Sequence, residues 1–180
     1  YIIASAKKGL KGCLIKFPKI SVGATENILI ASCFSKGKTK LRNCASEPEV
    51  QDLIDFLKKL GCKINQVGKR SIDVLGVEQL KSTTHRVIFD RIEAGTYIIA
   101  AALTNGRIKI TNVDPKIMFT EINLLNKMNV KIIKRKNYLI VTSPKRIKSI
   151  NTATKPYPGF PTDLQAQLMA LMTKADGIST

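Results

Sequence analysis

The sequence has few of the residues that usually carry metal or redox chemistry. It contains one histidine, His85, no tryptophan, and four cysteines at Cys13, Cys33, Cys44 and Cys62. These cysteines show neither the C-x-x-C spacing of zinc sites nor the density of a disulfide scaffold. We therefore expect four reduced thiols and no metal site.

Long apolar stretches are also missing from the sequence. The chain contains no run of about 18 uninterrupted apolar residues, which argues against a membrane-spanning helix. At the beginning, Lys7 and Lys8 follow a short apolar run, whereas a signal peptide has its charge before that run. We therefore expect no membrane partner, and the reduced thiols predict a cytoplasmic protein.

Acidic residues are outnumbered by basic ones. Lysine and arginine total 30 against 13 aspartates and glutamates, giving a net charge of +17. Such a charge is typical of nucleic-acid-binding proteins. Here the lysines are scattered through every segment and aromatic residues make up only 6% of the chain, which leaves few rings to stack on bases. Nucleic-acid binding is therefore the alternative, and we expect the basic surface to favour an anionic ligand such as a diphosphate.

What the chain does contain is an internal repeat. Residues 24–43 are echoed by 94–112, residues 57–64 are echoed by 125–132, and a third copy begins at Thr162. A period of about 70 residues is longer than the repeats of helical solenoids. It indicates a mixed α/β unit that is repeated within a domain. We expect residues 1–155 to form two repeat units of one domain and residues 156–180 to begin a third, truncated unit.

Each copy predicts a helix, a strand, a second helix and two more strands. The first helix is apolar all round and is therefore expected to be buried, with sheets around it. For the second helix of the first copy, Ser46 and Glu49 predict a capping box. The predicted elements are helices at 28–31 and 97–103, strands at 38–41 and 107–110, helices at 50–60 and 117–128, and strands at 62–64, 71–75, 130–133 and 138–141.

The copies differ in the segments that lead into the apolar helices. In the first, Lys19, Ser21 and Gly23 combine a cation, a hydroxyl and a glycine directly before a helix. Free backbone N–H groups and the helix dipole at that point make an anion site. The alternative is an ordinary helix cap and turn.

The second leading segment contains Asp90, Arg91 and Glu93. These three charges either reach a ligand or form a structural ion-pair cluster.

In the third leading segment, Asp163 lies between prolines and an apolar helix. Thr162 and Gln165 predict a capping box there, which would make Asp163 merely a favourable first-turn carboxylate. The alternative is a preorganised catalytic base.

These segments resemble one family of enzymes, the UDP-N-acetylglucosamine enolpyruvyl transferases. The matching motifs, in chain order, lie at 19–25, 46–49, 90–96 and 160–167, and the resemblance runs from about Gly9 to Thr180. It implies an inside-out α/β barrel of the α+β class, with buried central helices and two domains of three units each. The active site would lie in the cleft between the domains, with the remainder of the polypeptide forming the other half of the cleft.

The resemblance also implies a reaction. The enolpyruvyl group of phosphoenolpyruvate would move to the 3′-hydroxyl of UDP-N-acetylglucosamine, without a cofactor, in the first committed step of peptidoglycan synthesis. Lys19, Ile20, Ser21 and Val22 match the loop that holds the UDP-sugar. Asp163 matches the carboxylate proposed to take the proton from the attacking hydroxyl. The family also has charged residues with supporting roles close to its active site. In this sequence they are matched by Glu47, Glu49, Arg91 and Glu93.

Several family features have no counterpart here. The Lys-Asn pair, the mobile loop with its reactive cysteine, and the later arginines of the family are missing, so we expect these 180 residues alone to be inactive. Related alternatives on the same repeat are the shikimate-pathway enolpyruvyl transferase, an RNA-end cyclase and an inactive homologue. Neither of the two related enzymes predicts the loop from Lys19 to Thr25.

Overall fold

The computed structural model describes residues 1 and 3–180. They divide into two compact units, Tyr1–Ile88 and Phe89–Thr180, here called unit 1 and unit 2. The predicted grouping of residues 1–155 into one domain, with 156–180 beginning a third repeat, stays a prediction.

Unit 1 is a four-stranded sheet with two helices. Its elements are β1 (Leu14–Lys16), α1 (Val22–Ser32), β2 (Lys38–Arg42), α2 (Pro48–Lys59), β3 (Lys63–Gly68) and β4 (Ser71–Leu75). The strand order is β1-β2-β4-β3, with β1 parallel to β2 and the other neighbours antiparallel. The sheet and α2 follow from the apolar alternation and the apolar stripe in the sequence.

The beginning of α2 differs from the prediction. Glu47, rather than Ser46, is the N-cap residue, and Pro48 occupies the first helical position. The Ser46 backbone N–H donates to the Glu47 carboxylate over 2.8 Å. The predicted capping box between Ser46 and Glu49 is therefore wrong. Proline's fixed φ and missing N–H suit the first turn and set where the helix begins.

Unit 2 repeats the order helix, strand, helix, strand, strand with a three-stranded sheet, and it also contains a separate parallel pair of strands. Its elements are α3 (Arg91–Leu103), β5 (Arg107–Thr111), α4 (Phe119–Lys127), β6 (Lys131–Arg135), β7 (Tyr138–Thr142), β8 (Ile147–Lys148), α5 (Gln165–Met172) and β9 (Ala175–Asp176). The sheet order is β5-β7-β6, and all its neighbours are antiparallel. A short 3₁₀ turn, Thr162–Leu164, directly precedes α5.

The predicted order of helix, strand, helix, strand, strand is confirmed in both copies. The helices α1, α3 and α5 are each followed by a strand. Before α1 and α5 there is also a strand, which runs parallel to the one after the helix. β1 pairs with β2 across α1, and β8 pairs with β9 across α5. The segment from β8 to β9 thus has the same strand–helix–strand order as the segment from β1 to β2.

The helices α1 and α3, which the sequence predicts to be buried, each have one side buried within their own unit and another side exposed. In α1, Leu29 is fully buried while Ile30 is 46% exposed. In α3, Ile98 is fully buried while Tyr97 is 58% exposed. One sheet covers only one side of a helix, so the all-round apolar character of these helices exceeds what their own unit buries.

The cysteines of unit 1 belong mainly to its core. Cys33, Cys44 and Cys62 are buried, and Cys13 is exposed. Burial raises the pKa of the Cys33 thiol to about 12, and a hydrogen bond with Cys62 acts in the same direction. Cys33 is therefore protonated at neutral pH, when it is a poor nucleophile.

One buried carboxylate lies on the sheet of unit 1. Asp73 of β4 accepts hydrogen bonds from Lys38 and from Arg42, both of β2, each over 2.8 Å. The Lys38 hydrogen bond, followed by that of Arg42, lowers the pKa of the Asp73 carboxyl. These three side chains link the two central strands.

We expect Asp73→Asn to destabilise the protein at neutral pH and to lose this effect in acid. Because the pKa of Asp73 is depressed in the folded state, its stabilisation is present above the unfolded pKa and is lost as the pH falls through the folded pKa. Denaturant midpoints of wild type and variant, measured across pH, should converge at the acid end. A constant difference at every pH would contradict this, and added salt should weaken the neutral-pH difference.

Candidate active site

The segment from Lys19 to Val22 leads directly into α1. Ser21 is the N-cap residue, and its Oγ accepts from the Ala24 N–H over 3.3 Å. Ile20 and Val22 pack against the core of unit 1, whereas Lys19 is exposed. Ser21 is therefore a helix cap, as one reading of the sequence expected. The first turn of the helix adds N–H groups beside an exposed cation, a combination that suits an anion.

A buried hydroxyl connects this segment to the turn before α2. Thr25 is fully buried, and its Oγ donates to the Ser21 carbonyl over 2.7 Å. The same oxygen accepts from the Ala45 N–H over 2.9 Å. The loop before α1 and the turn that precedes Glu47 are thus held together by one side chain.

Carboxylates gather where α1 and α2 meet. Glu47 is buried, while Glu26 and Glu49 are half-buried. Burial raises the pKa of the Glu26 carboxyl, and the charges of Glu49 and Glu47 raise it further. These three side chains are therefore close enough to interact, which gives this end of unit 1 a cluster of negative charge beside the segment with Lys19.

The charges before α3 have separate tasks. Asp90 is the N-cap residue and accepts from the N–H groups of Ile92 (2.7 Å) and Glu93 (3.1 Å). Arg91 is buried and forms an ion pair with the buried Glu121 of α4, with 3.0 Å between Nη1 and Oε1. The Glu93 side chain is exposed. Asp90 and Arg91 thus have structural roles, one as a helix cap and the other in an ion pair. The partner of Arg91 is Glu121 of another helix.

Asp163 lies on the 3₁₀ turn before α5, with its side chain exposed. The next residue, Leu164, is fully buried and packs against α3 at Gly95. A Cβ atom at Gly95 would lie 2.6 Å from Leu164 Cδ1, so a larger residue at this position would require the Leu164 side chain to move. Leu164 is the N-cap residue of α5, and the capping box predicted for Thr162 and Gln165 is therefore wrong. The backbone at Asp163 is held by its buried neighbour while the carboxylate is open to solvent.

Further contacts attach this region to α3 and α4. Gln167 Nε2 donates to Thr96 Oγ1 over 3.0 Å. The Thr120 hydroxyl donates to the Pro158 carbonyl. The Arg91 guanidinium carbon lies 5.7 Å from the centre of the Tyr157 ring, within range of a cation–π contact. The residues on both sides of Asp163 are therefore fixed to the two helices.

A cleft of about 490 Å³ lies beside α3 and β5. It is lined by Phe89, Asp90, Glu93, Ala94, Tyr97, Ile108, Lys109, Ile110, Thr111 and Val113. Asp163 is not among these lining residues, so we do not assign the reaction to this cleft. Within residues 1 and 3–180, no three histidine, cysteine, aspartate or glutamate side chains converge as metal ligands. In the same residues, no helix is long and apolar enough to cross a membrane.

The predicted site residues fall into two groups. Lys19, Ile20, Ser21 and Val22 share unit 1 with Glu47 and Glu49, and Asp163 shares unit 2 with Arg91 and Glu93. The segment with Lys19 lies in the connection between the parallel strands β1 and β2. The segment with Asp163 lies in the connection between the parallel strands β8 and β9.

Three residues that support these groups were given no role from the sequence. They are Thr25, Glu121 and Tyr157. A hydroxyl within an apolar helix was the available signal for Thr25, but its partner Ala45 comes from another part of the chain.

Comparisons with known proteins are consistent with this description. The sequence family described as EPSP synthase (3-phosphoshikimate 1-carboxyvinyltransferase) matches residues 1–180. A UDP-N-acetylglucosamine 1-carboxyvinyltransferase of Pelagibacter ubique (strain HTCC1062) is 57% identical over 176 residues, 98% of this chain and 42% of that protein. A protein of the same name from Geobacter metallireducens is 47% identical over 179 residues, 99% of this chain and 43% of that protein. The chain thus spans less than half the length of these relatives.

Solved structures share the fold. The enolpyruvyl transferase NikO from Streptomyces tendae superposes with a TM-score of 0.82 at 24% identity, covering 94% of this chain and 43% of that one. An EPSP synthase from Acinetobacter baumannii gives a TM-score of 0.56 at 19% identity, covering 91% and 37%. At these identities the likeness concerns the fold alone, and it confirms the predicted fold class.

Proposed function

Because the chain belongs to the EPSP synthase family, we propose that its full-length polypeptide transfers the enolpyruvyl group of phosphoenolpyruvate to the 3′-hydroxyl of UDP-N-acetylglucosamine. The observation that carries the proposal is the exposed carboxylate of Asp163 on a turn that Leu164 fixes against α3. Relatives at 57% and 47% identity that are named for this sugar nucleotide support the choice of acceptor.

In the proposed reaction, Asp163 takes the proton from the sugar hydroxyl. The hydroxyl oxygen then attacks C2 of phosphoenolpyruvate, and C3 takes a proton from a general acid of the full-length polypeptide to form a tetrahedral adduct. Return of a proton from C3 to that group and loss of phosphate from C2 give the enolpyruvyl ether. A base that is held by its backbone, with its side chain accessible, loses little freedom when it engages the hydroxyl.

The first leading segment has a different part in this proposal. Lys19 supplies positive charge for the diphosphate, and the first turn of α1, after Ser21, supplies N–H groups. Ile20 and Val22, which pack on the core of unit 1, fix the backbone between them. Supporting roles fall to the charged residues Glu47, Glu49, Arg91 and Glu93. Arg91 is buried and acts through its ion pair with Glu121.

The proposed cellular setting follows from the reaction. The substrates are UDP-N-acetylglucosamine and phosphoenolpyruvate, the remainder of the polypeptide completes the cleft, and no cofactor takes part. The product is the first committed precursor of peptidoglycan, which places the protein in the cytoplasm and connects it with cell-wall synthesis, cell shape and division.

We expect phosphate release from phosphoenolpyruvate to require UDP-N-acetylglucosamine. The measurement uses the full-length polypeptide with this acceptor, with 3-phosphoshikimate, and with no acceptor. Release with 3-phosphoshikimate alone would favour the shikimate-pathway alternative. A folded protein that releases no phosphate, but binds random-sequence DNA with a steep salt dependence, would favour the nucleic-acid alternative.

A further inference from the structure

The proposed sugar-nucleotide loop is attached at both ends to the end of β2 and the turn that follows it. At its beginning, the Phe17 N–H donates to the Arg42 carbonyl over 3.0 Å. The Asn43 side-chain amide donates to the Phe17 carbonyl over 2.9 Å. At its end, Thr25 Oγ joins the Ser21 carbonyl to the Ala45 N–H. Only residues 18–20 lie between the two attachments at Phe17 and Ser21.

The Thr25 hydroxyl both donates and accepts a hydrogen bond in this arrangement. Its single proton is donated to the Ser21 carbonyl, and a lone pair accepts from Ala45. Thr25 and Ala45 are both buried, so water cannot replace the hydroxyl if it is removed. The Ala45 N–H would then be left without its acceptor, and a buried unpaired donor is unfavourable.

Asn43 is suited to its place for two separate reasons. Its backbone has φ of +61°, in the left-handed region that asparagine tolerates better than most residues. Its side chain reaches back to Phe17, beside the parallel pairing of β1 with β2. Glycine at this position would keep the backbone and remove only the amide.

We infer that Thr25 and Asn43 are positioning residues that hold the loop from Lys19 to Ser21 in the conformation that binds the sugar nucleotide. This inference rests on the proposed function, since that function gives the loop its ligand. Neither side chain is a catalytic residue, because each acts on the loop backbone through the carbonyls of Phe17 and Ser21. A loop that is already ordered binds more tightly because less freedom is lost on binding.

The test compares three variants of the full-length polypeptide. Thr25→Val keeps the shape and removes the hydroxyl, Thr25→Ser keeps the hydroxyl, and Asn43→Gly removes the amide. We expect Thr25→Val and Asn43→Gly each to raise the KM for UDP-N-acetylglucosamine by about 10-fold, with kcat and the KM for phosphoenolpyruvate within about 2-fold of wild type. Thr25→Ser should restore the wild-type KM.

A matched control is Thr104→Val, at the end of α3. The Thr104 hydroxyl also donates to the carbonyl four residues earlier, Ala100, over 2.8 Å, but it is exposed and belongs to unit 2. This control should leave both KM values unchanged. Hydrogen exchange adds a readout besides activity: the amides of Phe17 and of residues 19–22 should exchange faster in Thr25→Val and Asn43→Gly, while those of α2 should not.

The possible failures are distinguishable. Folded variants with an unchanged KM for UDP-N-acetylglucosamine would overturn the inference alone, as would an equal rise in both KM values. If Thr25→Val does not fold, Asn43→Gly decides the outcome, because glycine adopts this backbone conformation without strain. A wild-type protein that neither binds UDP-N-acetylglucosamine in calorimetry nor releases phosphate with it would overturn the proposed function, and this inference with it.

Discussion

Replacing Asp163 with asparagine is expected to lower sugar-nucleotide-dependent phosphate release by about 10²- to 10⁴-fold, the usual contribution of a general base. Asparagine has nearly the same shape but cannot accept the proton of the attacking hydroxyl. Because the Asp163 side chain is exposed, the change removes no buried contact, and folding should be unaffected. The rate is measured at saturating concentrations of both substrates, and a thermal melt checks the fold.

A second carboxylate of unit 2 provides the control for this prediction. Asp176 of β9 is also exposed, so Asp176→Asn makes the same chemical change away from the 3₁₀ turn. It should leave the rate within about 2-fold of wild type, since surface substitutions of this kind usually have small effects. If Asp163→Asn retained the wild-type rate, Asp163 would not be the base.

The variant Arg91→Met should have the largest effect on stability. It removes the cation from a buried ion pair and takes the guanidinium away from Glu121, which is 2% exposed. Breaking such a pair from one side costs about 3–5 kcal/mol, because the remaining charge stays in a poorly solvating interior. Chemical denaturation of the full-length protein should show a fall of this size.

The double variant Arg91→Met/Glu121→Leu separates the two contributions. Removing both charges leaves no buried carboxylate whose ion pair has been broken, so the double variant should be more stable than Arg91→Met alone. A double variant that was no more stable than Arg91→Met would contradict this account. It would mean that the loss of packing around α3 and α4, rather than the remaining buried charge, determines the stability.

The fold was largely predictable because periodicity is a local property of the chain. The two strands of each hairpin and the apolar stripe of α2 were evident in the alternation of residue types. The helix beginnings were less predictable. Ser46 and Thr162 have the chemistry of caps, yet Glu47 and Leu164 take the cap positions. Pro48 at the first helical position of α2 accounts for the first case, and the 3₁₀ turn that precedes α5 accounts for the second.

The candidate site residues remain a prediction, and the sequence did not indicate their contacts. Lys19, Ser21 and Asp163 were identified by their place before apolar helices and by a family resemblance. The partners of Thr25 and Arg91 could not be found in this way, because Ala45 and Glu121 come from separate elements. Such pairings depend on how helices pack, which a local pattern does not encode.

The parallel strand pairs also bear on how the protein folds. The hairpin strands β3 and β4, like β6 and β7, are neighbours in the chain and pair after closing a short turn. In contrast, β1 reaches β2 and β8 reaches β9 only after an intervening loop and helix have been enclosed, which costs more chain entropy. Contacts of high sequence separation slow folding. We therefore expect the hairpins to form early, and the two connections that contain Lys19 and Asp163 to acquire their native geometry last.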